Sequence, residues 1–234
     1  MNLTKKNKKT SKKEGNLDDK LNNLRAGVLG SNDGILTVVG VLFSVAVATP
    51  NQFTIFIAGL SDLLACAFSM SSGEYASVSS QRDTEKAAVQ NEKKILKNDF
   101  DQELQTTQEF YTNRGVNQET AREIAVDLLN KKPLETIIDI KYDIKINKYL
   151  NPWSAALSSL ISASLGGILP LLAMTLLPIG LKWPGTILAV IIAVALTGFL
   201  SAKLGDGLVK IAIYRNIIVG IITMIIHYSI GKIF

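Results

Sequence analysis

The chain has 234 residues, 47% hydrophobic and 19% charged, and its apolar residues are concentrated in blocks, where a soluble domain would spread them at helical or strand periods. The formal charge of +5 resides in residues 1–25, where eight basic side chains face three acidic ones, and no aromatic or groove-reading element accompanies them, which argues against nucleic-acid binding. A single cysteine, Cys66, excludes an intrachain disulfide.

Residues 1–25 read as a basic cytoplasmic tail whose lysines set topology and meet anionic lipid. The first apolar run after it is too long for the core of a signal peptide, so cleavage is not expected. Residues 26–48 and 53–75 form a hairpin of two spans joined by ATPNQ. Each has about the 20 residues needed to cross roughly 30 Å of hydrocarbon. Residues 76–150 are polar, with 12 basic and 13 acidic side chains. Residues 153–177, 185–206 and 211–233 read as three further spans. The expected fold is an all-α membrane protein of five transmembrane helices. A cytoplasmic helical domain (76–150) separates the hairpin (26–75) from the last three spans (151–234).

Lys and Arg set the orientation. The tail, the polar block and the loop holding Lys203 and Lys210 carry nearly all of them, whereas the loops at 49–52 and 178–184 carry only Lys182. Five spans then place the N-terminus in the cytoplasm. Within the polar block, residues 81–97 continue the second span as helix, and 100–112 form another that stops at Asn113-Arg114-Gly115. QETAREIAVDLLN carries Ala121, Ile124, Ala125 and Leu128 at helical spacing. Lys132-Pro133 ends it, and 134–147 form a last helix or turn. About 70 residues give this bundle a thin core, so it needs a partner copy or the membrane.

Acidic residues inside the apolar hairpin point to function. A carboxylate in hydrocarbon costs roughly 2.5–3.5 kcal/mol on insertion scales, which makes an intramembrane acid a candidate for an ion or proton pathway. Asp33 lies in the first span, and Asp62, Cys66, Met70 and Glu74 recur every four residues along one face of the second. All four of the latter are donors for divalent transition metals. Cys66 and Met70 also suit plain apolar packing, and Glu74 an interfacial position; packing is the preferred reading for Cys66. Gly30 and Gly34 form a GxxxG pair, and Ser69, Gly73 and Ser77 are small, so the two helices are expected to approach closely. A site of Asp33, Met70 and Glu74 with backbone carbonyls would suit Fe2+, Mn2+ or Co2+.

Three stretches carry a family resemblance: RAGVLGSNDGILTVVG, AGLSDLLACAFSMSSGEYASVSSQRDTEKA and the C-terminal TGFLSAKLGDGLVKIAIYRNIIVGIITMIIHYSIGKIF. They resemble the vacuolar iron transporter family over nearly everything except the tail. The resemblance implies a homodimeric five-helix transporter that exports Fe2+, in some members Mn2+, from the cytosol in exchange for protons. It implies Asp33 and Met70 as membrane metal ligands with Glu74 nearby, and a cytoplasmic metal-binding domain between spans two and three. Matched positions there are Glu92, Glu103 and Asp143. Departures fall at Ile95, Thr106, Asp139 and Ile140, where the family places further Glu and Met residues. Fewer thioethers and carboxylates should weaken selectivity for iron and favour Mn2+. Glu85, Glu109, Glu119 and Glu123 read as a solvated face.

His227, the only histidine, reads as hydrogen-bonded structure before proton relay. Pro152, Pro170, Gly166 and Gly167 mark the start of the third span and a bend. No nucleophile–base pair, phosphate loop or Cys/His motif supports an enzyme, and no cofactor is expected beyond the metal as cargo. The expected function is proton-coupled Fe2+ or Mn2+ export, with Asp33 and Asp62 completing the path. A membrane-anchored metal-binding or sensing protein is the rival. The Lys-, Asn- and Ile-rich composition suggests a bacterial plasma membrane, or a vacuolar membrane if the source is eukaryotic.

Overall fold

The computed structural model describes residues 3–233, with side chains from Leu17 onward. The described residues form eight α-helices and no strand: α1 (Leu3–Ala48), α2 (Gln52–Asn98), α3 (Phe100–Thr112), α4 (Gln118–Lys131), α5 (Pro133–Tyr142), α6 (Pro152–Leu176), α7 (Lys182–Leu204) and α8 (Val209–Ile233). Stretches of α1, α2, α6, α7 and α8 are long and apolar enough to cross a membrane, so five spans are present in an integral membrane protein. The chain divides into two compact units: one runs through Val78 and resumes at Asn151, and the other comprises residues 79–150.

In the span unit, α1 is central and packs on α6, α8 and α7. It begins at Leu3, so the helix is continuous from there to Ala48. Residues 1–25 contain no proline to stop it. The core joins Ile35, Val38, Val39 and Leu42 of α1 to Leu171 and Met174 of α6, Val190 and Val194 of α7, and Met224 of α8. Leu165, Leu188, Ile192, Ile218 and Ile222 are exposed, as lipid-facing positions of all-round apolar helices are.

The glycine pair of α1 serves a different neighbour from the one expected. A Cβ on Gly30 would lie 2.8 Å from the backbone oxygen of Ser159, and one on Gly34 would overlap the carbonyl of Ala163. Both partners are on α6. From the other side, a Cβ on Gly166 would overlap the carbonyl of Ser31. Gly166 and Gly167 thus serve close approach, and α6 runs as helix through Pro170. The serines of α6 add hydrogen bonds: Ser158 donates to the carbonyl of Asn23 at 2.7 Å, and Asn23 donates to Ser154 at 2.5 Å. On α2 itself, a Cβ on Gly59 would lie 2.6 Å from Leu42 Cδ2 of α1 and 2.8 Å from Leu171 Cδ1 of α6. Gly73 meets nothing within 4 Å, and Ser69 and Ser77 are exposed. The α1–α2 hairpin is joined by its side chains.

The second unit comprises the polar end of α2 with α3, α4 and α5. Asp99 caps α3 by accepting from the Gln102 N–H, and Asn117 caps α4 by accepting from the Thr120 N–H. Lys132 ends α4, and Pro133 opens α5 at its first position, where a missing N–H costs nothing. The buried face of α4 is Ala121, Ala125 and Leu129, and α5 contributes Ile137 and Ile138. The last element stops at Tyr142, where the expected range ran to 147. Asp143 takes up the left-handed conformation there, with φ of 53°, and ends the helix.

Candidate functional site

The ionisable residues of the hairpin line the seam where α2 leans on α1. At one end, Arg25 donates from its guanidinium to Glu74 at 3.0 Å, and Glu74 is only 6% exposed. Two turns further along, the thiol of Cys66 donates to Asp33 Oδ2 at 3.3 Å. Cys66 packs with Ala67 and Ala163, and Met70 closes over this cluster with Leu160. Asp62 lies a turn beyond. Its Oδ2 is buried without a hydrogen-bond partner, as is Oγ1 of the neighbouring Thr37. Asp33, Cys66 and His227 are titratable groups near Asp62. The run from Asp62 to Glu74 covers about 18 Å of α2 at 1.5 Å per residue.

His227 belongs to this region by packing. Ser44 Oγ lies 3.2 Å from its Nδ1 and 3.0 Å from its backbone oxygen. The ring rests on Gly40, where a Cβ would come within 2.8 Å of Nε2.

Sequence reasoning named Asp33, Asp62, Met70 and Glu74. The geometry spreads them along a seam, and no three Asp, Glu, His or Cys side chains converge on one point among the described residues. Glu74 carries an ion pair, which the expected Asp33–Met70–Glu74 site did not include. Cys66, read as packing, is buried but also holds Asp33. Arg25, assigned to the tail, and Thr37 were missed.

Of the three positions matched in the polar block, Glu92 and Glu103 come together, each 1% exposed. Between them lies Lys141, whose Nζ is 2.7 Å from Glu103 Oε1 and 3.3 Å from Glu92 Oε2. Tyr142 donates to Glu92 Oε1 at 2.9 Å. Burial alone would lower the Lys141 pKa, but the hydrogen bonds and charges of Glu103 and Glu92 outweigh it and hold the ammonium above the ordinary lysine range. The hydrogen bond to Glu92, assisted by burial, likewise raises Tyr142. Asp143 does not join them: it is exposed at the helix end. The pair that was expected to gather metal therefore shares one ammonium from within the chain, which offsets one of two carboxylate charges.

The VIT family model matches residues 24–232. A protein named vacuolar iron transporter from Acanthamoeba castellanii is 33% identical over 209 residues, covering 89% of this chain and 77% of that protein. Vacuolar iron transporter homolog 2.1 of Arabidopsis thaliana is 26% identical, covering 89% and 80%. Vacuolar iron transporter homolog 2 of Oryza sativa subsp. japonica is 27% identical, covering 90% of each. The seam, the helical unit and nearly all of the five spans fall inside the matched region, and the chain belongs to the VIT family.

Proposed function

We propose that this chain transports divalent metal across a membrane, exporting Fe2+ or Mn2+ from the cytosol in exchange for protons. One observation carries the reading: a line of carboxylates between two spans, in which Asp62 holds a buried oxygen with no partner. An unpaired polar atom at membrane depth costs stability, and a passing cation or proton is the partner it lacks. The names of the relatives supply the class of cargo.

In this mechanism the ion meets the seam near Glu74, where Arg25 tempers the negative charge. Asp33 offers carboxylate oxygen, and Met70 and Cys66 add sulfur, a mixed set that suits first-row ions. Asp62 and Thr37 receive the ion next. Protonation of the carboxylates from the far side releases it, because carboxylates must be deprotonated to bind metal. The distribution of Lys and Arg supports a cytoplasmic N-terminus and a cytoplasmic helical unit. The open face of Ser69, Gly73 and Ser77 supports a homodimer, since small residues let helices of two copies meet.

The test is metal uptake into proteoliposomes under an imposed pH gradient, comparing Fe2+, Mn2+, Co2+ and Zn2+ for wild type and Asp33→Ala. Uptake that needs both the gradient and Asp33 is the expected result. Normal uptake by Asp33→Ala would sink the mechanism. A membrane-anchored metal buffer is the rival, and Asp62→Leu separates the two. Transport predicts that flux disappears, whereas a mere anchor would insert better and bind metal unchanged.

A further inference from the structure

The carboxylate pair of the helical unit is built as a cation site, and its cation is part of the chain. Glu92 sits on α2, Glu103 on α3 and Lys141 at the end of α5, so three separate helices converge on one ammonium. The two glutamate oxygens share that nitrogen and therefore lie within about 6 Å of each other. Two carboxylates this close and this buried repel one another, and a positive charge between them relieves that repulsion. The ammonium does not use all the oxygen on offer. Glu103 Oε2 is buried with no hydrogen-bond partner, so the pocket holds more acceptor capacity than Lys141 meets.

We propose that Lys141 is the resident cation of this site and keeps divalent ions out of it. The same pair, freed of the lysine, would take a hard divalent ion such as Mn2+. The donor set would be four carboxylate oxygens and the Tyr142 hydroxyl, with water completing the shell, which matches the oxygen preference of such ions. A tethered ammonium competes at a high effective concentration, because it cannot diffuse away. A metal must therefore displace it towards solvent, which Lys141 reaches through the 24% of its side chain that is exposed. The consequence is a selectivity step set by one residue: the helical unit of this chain does not gather ions for the spans. This inference concerns binding in the helical unit, so it stands or falls separately from transport along the α1–α2 seam.

The experiment measures bound Mn2+ per chain by loss of the free-ion EPR signal, using the full chain in detergent. Wild type is compared with the double variant Glu92→Gln/Glu103→Gln, with Lys141→Met, and with the triple variant. Any ion held in the spans is common to all four and cancels. Wild type and the double variant are expected to bind equally. Lys141→Met is expected to gain one Mn2+ per chain, and the triple variant to lose that gain. If the double variant binds one ion fewer than wild type, the lysine does not exclude metal and the proposal is overturned. A folded Lys141→Met with no extra ion overturns it too. If Lys141→Met folds only when Mn2+ is present, that dependence supports the proposal, whereas failure to fold even in millimolar Mn2+ counts against it.

Discussion

Arg25 and Glu74 face each other across the hairpin at 3.0 Å, and the sum of their residue numbers, 99, recurs along the seam. Asp33 and Cys66 obey the same register, as do Thr37 and Asp62. The turn at Thr49 and Pro50 folds the chain about one fixed point, so each position on α1 meets a determined position on α2. The register converts three scattered polar residues on each helix into three facing pairs.

Breaking the first pair should be costly in either direction. Arg25→Ala leaves a buried Glu74 unneutralised, and Glu74→Gln leaves a guanidinium without its anion. Both are expected to reduce flux several-fold. A double-mutant cycle on thermal stability should return a coupling of about 1–3 kcal/mol, in the range for directly contacting residues. Strict additivity would mean that the pair does not hold the hairpin.

Cys66 offers a sharper discrimination. If the thiol matters because it donates to Asp33, then Cys66→Ser should keep transport and Cys66→Ala should lower it. If the sulfur is only apolar packing, the order reverses, since alanine keeps an apolar surface and serine does not. Initial uptake rates of the two variants at equal reconstitution decide between these outcomes.

Gly34→Ala is expected to destabilise the spans by about 1–3 kcal/mol, the usual cost of overpacking. The added methyl would collide with the Ala163 carbonyl, part of the α6 backbone, which cannot rotate away. Gly180→Ala is the natural control, because nothing lies within 4 Å of a Cβ added there. Melting temperatures in detergent should fall for the first and not for the second.

The helical unit should lose stability only at high pH on account of its lysine. Lys141 and Tyr142 are both raised above their ordinary ranges, so each is more readily protonated in the fold than in the unfolded chain. Their contribution is complete below pH about 10 and declines as pH rises through the raised values. Thermal melts between pH 8 and 11.5 should show a late fall for wild type. Lys141→Met/Tyr142→Phe should be less stable throughout and show a weaker fall.

The spans were legible because length and apolarity decide them, and the caps and proline of residues 99–133 marked α3, α4 and the start of α5 within a residue or two, though not the end of α5 at Tyr142. The intramembrane acids were legible because hydrocarbon makes them expensive. Their neighbours were not. The small residues Gly30 and Gly34 announce close helix contact but do not say with which helix, and α6, far away in sequence, supplied the serines and Ala163 that meet them. Lys141 was unreadable for the same reason: a lysine on a polar helix normally faces water, and only the convergence of α2, α3 and α5 puts it between two glutamates. Arg25 and Cys66 were within reach, since reflecting α1 onto α2 about the turn would have placed them opposite Glu74 and Asp33.

The way side chains join α2 to α1 has a mechanical meaning. Elsewhere in the span unit the helices touch backbone to backbone through glycine, and parting them would strip away close-packed surface. Along the seam the contacts run through side chains: the Arg25–Glu74 ion pair, the Cys66–Asp33 hydrogen bond, and Leu42 closing on Gly59. Such a joint can widen by turning rotamers while both helical backbones stay as they are. For the proposed ion path, passage along the seam would then cost a few torsions.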